Sequence, residues 1–213
     1  MKISYGITVH NEADELNELL KFLIHKTHEN DEIVICDDYS DEETQFVLQS
    51  WLQQYGHAKT IKIYQRKLDG DFSAQKNSVI ENCDGDYIFH IDADEIPHEN
   101  LVNILPKMVE TNDVDLVWVP RVNTVEGITQ EHIDKWGWRV SSKGWINYPD
   151  YQARVYRNTD AIHWTRKVHE YIVGTKEYSH LPPHEELSLY HHKSIDKQEQ
   201  QNRLYSDILE NSR

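Results

Sequence analysis

Residues 2–119 repeat one unit: an apolar run of strand length, then a stretch with apolar side chains at helical spacing. "KISYGITV" (2–9) reads as a first buried strand. "NEADELNELLKFLIHK" (11–26) reads as a helix burying Leu16, Leu19, Leu20 and Leu23 on one face. "DEIVIC" (31–36) predicts a second strand. Ser40 and Glu43 match a capping box, opening a helix whose apolar face carries Val47, Leu48, Trp51, Leu52 and Tyr55. The series continues with strand "TIKIY" (60–64), helix "SAQKNSVIENC" (73–83), turn "DGD" and strand "YIFHI" (87–91). It ends with a helix over about 97–110 and strand "VDLVWVP" (114–120). Strands separated by helices pair in parallel, because a parallel pair needs a long crossover. The expected fold is therefore α/β, with a mostly parallel central sheet flanked by helices.

After Pro120 the repeat lapses. Residues 121–190 are polar, aromatic and irregular, and hold four of the six Trp (Trp136, Trp138, Trp145, Trp164). "ARVYR" (153–157) reads as a strand, so Arg154 and Arg157 would not both reach one ligand, and one of them is expected to be structural. "DKQEQQNRLYSDILE" (196–210) predicts a last helix. No flexible linker separates the halves, so 1–213 reads as a single domain with 120–213 packed on 1–119.

The formal net charge of −15, without basic clusters, excludes a nucleic-acid binder or a protein held electrostatically on anionic lipid. The two cysteines, Cys36 and Cys83, lack metal-type spacing and fit a reduced, cytoplasmic setting. The N-terminus is a poor signal peptide, since His10, Asn11 and Glu12 interrupt it. No apolar run approaches the roughly 18 residues of a transmembrane helix, which leaves peripheral membrane contact open. The thirteen His match no zinc spacing.

In open parallel sheets ligands bind beyond the carboxyl ends of the strands. Three polar clusters fall there: Thr8, His10, Asn11 and Glu12 after the first strand, Asp37 and Asp38 after the second, and Asp92 and Asp94 after the fourth. Asp92 and Asp94 share one side of an extended segment, or a local bend sends them to different partners. A bare acidic crevice repels a diphosphate by roughly 4 kcal/mol per like-charge pair at about 4 Å and an effective dielectric near 20. A divalent cation reverses that sign, because Mg²⁺ or Mn²⁺ takes oxygen ligands from one or two carboxylates and the substrate phosphates.

"ITVHNEADELNELL", "DEIVICDDYSDEET", "FSAQKN" and "GDYIFHIDADE" resemble the successive motifs of family 2 glycosyltransferases with the GT-A fold. "GWINYPDYQARVYR", "KVHEYIVG" and "LYHHKSIDKQEQQNRLYS" resemble the bacterial lipopolysaccharide-core β-glucosyltransferase type within that family. The resemblance implies a Rossmann-like, nucleotide-sugar-binding first half (1–119) and an acceptor-side second half (120–213). It places Thr8, His10, Asn11 and Glu12 against the nucleotide, Asp38 on the base, Lys76 near the diphosphate, Asp92 at the ribose or metal, and Ala93 in the nucleotide-sugar site. Asp94 would be the main metal ligand and His169 the second; Asp150 falls where the family has its general base. Tyr39 replaces the usual Gly after the Asp37–Asp38 pair.

The implied activity is metal-dependent, inverting transfer of a hexose from a nucleotide-diphosphate sugar to a hydroxyl of a glycan or glycolipid. A UDP-sugar is the favoured donor, because a carboxylate at Asp38 accepts the imide N–H of uracil. Burial against Trp145, Tyr148 and Tyr151 is expected to raise the pKa of Asp150 and make it a better base. Glu170 is the alternative base, and one or two of Trp136, Trp138 and Trp145 are expected to face the acceptor. Competing readings make Asp92 and Asp94 a helix N-cap, Asp37 and Asp38 an ordinary turn capped by Ser40, Lys76 a solvated helix residue and His169 a surface histidine. Two other classes remain: a non-catalytic nucleotide-sugar or glycan-binding module of the same fold, and a sugar nucleotidyltransferase, which would carry a Gly-rich phosphate loop that "GITVHNEA" does not supply.

Overall fold

A computed structural model describes residues 1–211. Its elements are β1 (Ile3–Val9), α1 (Ala13–Lys26), β2 (Glu32–Asp37), α2 (Glu42–Tyr55), β3 (Thr60–Gln65), α3 (Phe72–Asn82), β4 (Tyr87–Asp92), β5 (Glu95–Pro97) and α4 (Glu99–Asn112). They continue as β6 (Leu116–Glu126), α5 (Gln130–Trp136), β7 (Ile146–Arg157), β8 (His163–Thr165), β9 (Tyr171–Val173), β10 (Tyr178–His180), β11 (Leu189–Ser194) and α6 (Ile195–Asn211).

Nine strands form one sheet in the order β3-β2-β1-β4-β7-β6-β11-β5, with β10 also pairing β6. The four strands from the β-α repeat, β3, β2, β1 and β4, are parallel throughout. Beyond them the sheet is mixed: β7 lies antiparallel between β4 and β6, and β11 runs parallel to β6. The two halves of the chain therefore share one sheet. β8 and β9 form a separate hairpin.

Alternation along the strands feeds two cores. On β2, Ile33 and Ile35 join the side packed by α1, α2 and α4, while Val34 and Cys36 join the side packed by α3, Trp164 and Ile172. Leu16, Leu19, Leu20 and Leu23 of α1 are fully buried, as their spacing predicts. Gly6 lets α3 close on β1, since a Cβ there would meet Val79 Cγ1 at 2.5 Å.

Several boundaries differ from the sequence reading. The cap of α2 is Asp41, whose side chain accepts the Thr44 N–H, whereas Ser40 Oγ accepts the Asn11 N–H. Leu52 is 43 % exposed rather than part of the buried face. β6 does not stop at Pro120: it continues to Glu126, with Pro120 opposite Tyr151 and register irregularities between Val117 and Trp118 and between Arg121 and Asn123. The strand read at "ARVYR" (153–157) is the end of β7, which extends back through the expected irregular region to Ile146, 12 residues in all. Its polar and aromatic residues carry no clean alternation, and its place is set by pairing with distant strands.

One buried acid supports a stability prediction. Glu32 is fully buried and accepts from Ser4 Oγ (2.6 Å) and the Asp84 N–H (2.5 Å), with Lys62 and Lys2 at 3.0 and 3.1 Å. Burial alone would raise its pKa; these hydrogen bonds and the two ammonium groups outweigh that and hold it at about 2. A depressed carboxylate contributes stability above its unfolded pKa and loses it as pH falls through the folded one. Glu32 is thus expected to add up to about 3 kcal/mol near neutrality, lost between pH about 4.5 and 2. Urea titrations of wild type and Glu32→Gln across that range check it: the difference between the two should shrink as pH falls.

Candidate active site

The parallel register brings the carboxyl ends of β1, β2 and β4 level, with Thr8 opposite Cys36 on one side and Asp92 on the other. Above these ends lies a cavity of about 790 Å³, within the usual range for small-molecule sites. Thr8, His10, Glu12, Asp38, Lys76, Asp92, Asp94, Asp150, Arg154, His169 and Glu170 line it. Residues up to 162 positions apart (Thr8 and Glu170) thus meet at one place, which local sequence pattern could only suggest. α6 forms a further wall, with Gln198, Gln201, Leu204 and Tyr205; Tyr205 packs edge-on against Phe72 of α3.

Four expected site residues are not among the lining. Asn11, in left-handed backbone (φ 54°), accepts the Asp41 N–H and ties β1 to the start of α2. Asp37 is buried and accepts from the Ser40 N–H and the Gln45 and Gln65 amides, so it acts as a turn and strand clamp. Ala93 is fully buried and donates its N–H to the Thr8 carbonyl. Trp145 packs on Tyr148 and Lys143. Of the three candidate tryptophans Trp138 lines the cavity, with Trp136 against it at 4.7 Å.

A turn at Ala93 and Asp94 separates the two aspartates, and Glu95 Oε2 closes it by accepting the Asp92 N–H. The bend sends Asp92 to Arg154 (2.6 Å) and Thr8 Oγ1 (3.4 Å). Asp94 instead meets His191 (3.3 Å), Lys193 (3.5 Å) and Lys197 (3.5 Å), all through Oδ2. Burial works to raise both pKa values, but Arg154 beside Asp92, and His191 with the two lysines beside Asp94, hold both carboxyls well below the usual range. Burial and the neighbouring Asp94 push Glu12 up to about 7, against the lowering pull of Lys197 at 2.7 Å.

Asp38 accepts the Leu68 N–H (2.8 Å), and its backbone carbonyl contacts the His10 ring. Lys76 is a buried residue, not a solvated helix position: it pairs with Glu170 at 2.5 Å and lies 4.4 Å over the Trp164 ring. His169 is exposed, lines the cavity and stands edge-on to Tyr205.

Asp150 is gripped on Oδ2 by Arg121 (2.7 and 3.0 Å) and Asn123 (2.8 Å), and on Oδ1 by Gln152 (3.0 Å). The expectation that its surroundings raise its pKa is corrected here. Burial does push it up, but Arg121, Asn123 and Gln152 more than offset that, and the pKa is lowered. Arg121 also reaches Glu95 (2.9 Å), which Arg154 shares (2.5 Å). A continuous ion-pair chain therefore runs from Asp92 to Asp150.

The crevice is not bare. Six carboxylates line it against five Lys or Arg (Lys76, Arg121, Arg154, Lys193, Lys197), so the repulsion behind the expected metal is largely met by the protein. Among the described residues no three His, Cys, Asp or Glu are grouped to hold an ion. A cation that arrives with phosphates needs only one or two carboxylates from the protein. Asp94, which His191, Lys193 and Lys197 approach through one oxygen at 3.3–3.5 Å, and Asp92 fit that role. Sequence reasoning missed Arg121, Asn123 and Gln152 around Asp150, and His191, Lys193 and Lys197 around Asp94. The available signal was two-residue spacing, as of Asp150 and Gln152 and of His191 and Lys193, which puts both members on one strand face.

The fold has solved counterparts. Staphylococcus aureus TarS 1–349 in complex with UDP superposes with a TM-score of 0.63 at 16 % identity, over 98 % of this chain and 65 % of that one. The same protein with UDP-GlcNAc gives 0.61, over 91 % and 59 %. Among curated proteins, the Streptococcus pneumoniae serotype 4 glycosyltransferase GlyG is 26 % identical over 115 residues, 54 % of this chain and 37 % of GlyG. An uncharacterized glycosyltransferase of Rickettsia conorii is 31 % identical over 112 residues, 53 % of this chain and 18 % of the relative. The chain thus spans well under half the length of these two relatives. The family model "Glycosyl transferase family 2" matches residues 4–178, which contain the strand-end clusters, Asp92, Asp94 and Asp150, and the chain belongs to that family.

Proposed function

We propose that the chain transfers a hexose from a nucleotide-diphosphate sugar, with UDP as the favoured carrier, to a hydroxyl of a glycan or glycolipid, with inversion. The observation that carries this reading is the single cavity joining the strand-end cluster of Thr8, Glu12, Asp38, Asp92 and Asp94 to Asp150 and Trp138 of the second half. Asp38 would take the base, the β4 end the ribose and diphosphate, and Asp150 the acceptor hydroxyl. Trp138 would offer its ring to the acceptor sugar. In this reading 1–119 supplies most of the donor side and 120–213 most of the acceptor side.

Asp94 and Asp92 would hold a divalent cation, with His169 across the same cavity, and the bound ion would stabilise charge on the departing diphosphate. The protein's own share is orientation. Arg154 fixes Asp92, and Arg121, Asn123 and Gln152 fix the Asp150 carboxylate for proton acceptance from the acceptor. Two buried, free thiols fit a cytoplasmic setting. No helix among the described residues is long and apolar enough to cross a membrane.

The test is binding, then transfer. UDP with Mn²⁺ at 100 times its dissociation constant should stabilise the chain by about 2.7 kcal/mol, raising Tm by roughly 5–10 °C. UDP should outrank CDP, and EDTA or Asp94→Ala should remove most of the shift. Release of UDP from a UDP-sugar panel only when saccharide acceptors are added separates transfer from mere binding. No shift with any nucleoside diphosphate, in metal or EDTA, would overturn the reading.

A further inference from the structure

Four of the five Lys and Arg residues lining the cavity are tightly neutralised. Lys76 has Glu170 at 2.5 Å, Arg121 has Asp150 at 2.7 Å, Arg154 has Glu95 at 2.5 Å, and Lys197 has both Glu12 at 2.7 Å and Glu15 at 3.2 Å. Lys193 differs. It is 5 % exposed on β11, and its ammonium donates to the neutral Gln201 amide oxygen (2.7 Å). Among the described residues its only carboxylate within 4 Å is Asp94, at 3.5 Å. That carboxylate is already shared with Lys197 and His191. A buried ammonium with a fraction of one counter-charge is costly, and its cost is recovered when an anion completes the balance.

We infer that this anion is the diphosphate of the donor, and that Lys193, from the second half of the chain, is its principal protein cation. The assignment rests on the nucleotide-sugar reading and changes it in one respect. The sequence put Lys76 on the diphosphate, but Lys76 is committed to Glu170 and the Trp164 face. Lys193 instead stands beside Asp94, where phosphates arriving with a cation would lie. Its hydrogen bond to Gln201 also joins the site to α6.

Inorganic pyrophosphate isolates the charge contact from base recognition. In calorimetric or thermal-shift titrations, wild type should bind pyrophosphate and UDP, and Lys193→Met should weaken both about 10- to 100-fold. UMP affinity should change by less than about threefold, so the preference for UDP over UMP collapses. Lys193→Arg should restore most of the pyrophosphate binding. Without ligand, Lys193→Met should melt no lower than wild type, because an under-compensated buried charge has been exchanged for an apolar chain of similar size.

Pyrophosphate binding that weakens in Lys193→Met, with no uridine-nucleotide binding by wild type, would refute the nucleotide reading while keeping Lys193 as the cation of a diphosphate site. Pyrophosphate or UDP binding as tight in Lys193→Met as in wild type, equal losses for UDP and UMP, or no pyrophosphate binding by wild type would overturn the assignment.

Discussion

Asp150→Asn should lower transfer turnover by roughly 10² to 10³ while leaving UDP affinity within about twofold. The exchange keeps the side chain's size and removes its basicity. The usual range for a general base reaches about 10⁴. Here the lower part of that range is expected, because Arg121, with Asn123 and Gln152, holds the carboxylate below its ordinary pKa and makes it a weaker base. The same contacts keep it ionised throughout the neutral range. The acid limb of wild-type turnover due to Asp150 should therefore fall below the normal Asp value near 3.9, rather than close to neutrality. Glu170→Gln gives the contrast. Glu170 is paired with Lys76 at 2.5 Å on the α3 side of the cavity, so its loss should alter donor affinity more than turnover. Steady-state transfer with donor binding for both variants decides the matter: near-normal turnover in Asp150→Asn together with a large loss in Glu170→Gln would move the base to Glu170.

Arg154→Leu should cost about 3–5 kcal/mol of stability, with Tm lowered by roughly 10 °C. Arg154 is 3 % exposed, and its Nη2 serves Asp92 at 2.6 Å and the fully buried Glu95 at 2.5 Å. Leucine leaves Asp92 without its guanidinium and Glu95 with Arg121 alone. Removing one member of a buried ion-pair chain strands the remaining charges, which costs far more than losing an exposed pair. Arg157 supplies the control three residues along the same strand. It is a third exposed and pairs with Asp113, 86 % exposed, and Asp115, so Arg157→Leu should cost about 1 kcal/mol or less. Urea denaturation of both variants gives the comparison, and equal losses would refute the claim that the Asp92–Arg154–Glu95 chain supports the β4 end. The sequence reading assigned one of these two arginines a structural role; the structure gives both of them ion pairs and buries only Arg154.

Local periodicity carried a large part of this protein. The leucines of α1, the short apolar runs of β1 to β4 and the acids placed just after them made the parallel half of the sheet and its ligand-binding edge legible. That information is local: the spacing of apolar side chains along a few turns or a few residues determines which face can be buried. The ordered motifs likewise sufficed to point to the family. The rest depended on contacts between residues far apart in the chain. The end of β7 was legible in "ARVYR" (153–157), but 146–152 lack the alternation that would reveal a strand and are one because β6 offers them backbone partners. The electrostatics of the site depended even more on tertiary structure. The acids at the β4 end read as a bare negative cluster, yet Arg154 meets Asp92 from 62 positions away, Arg121 meets Asp150 from 29, and Lys197 meets Glu12 from 185. The cost or value of a charge depends on the few ångströms around it, and only the folded chain brings those neighbours within reach.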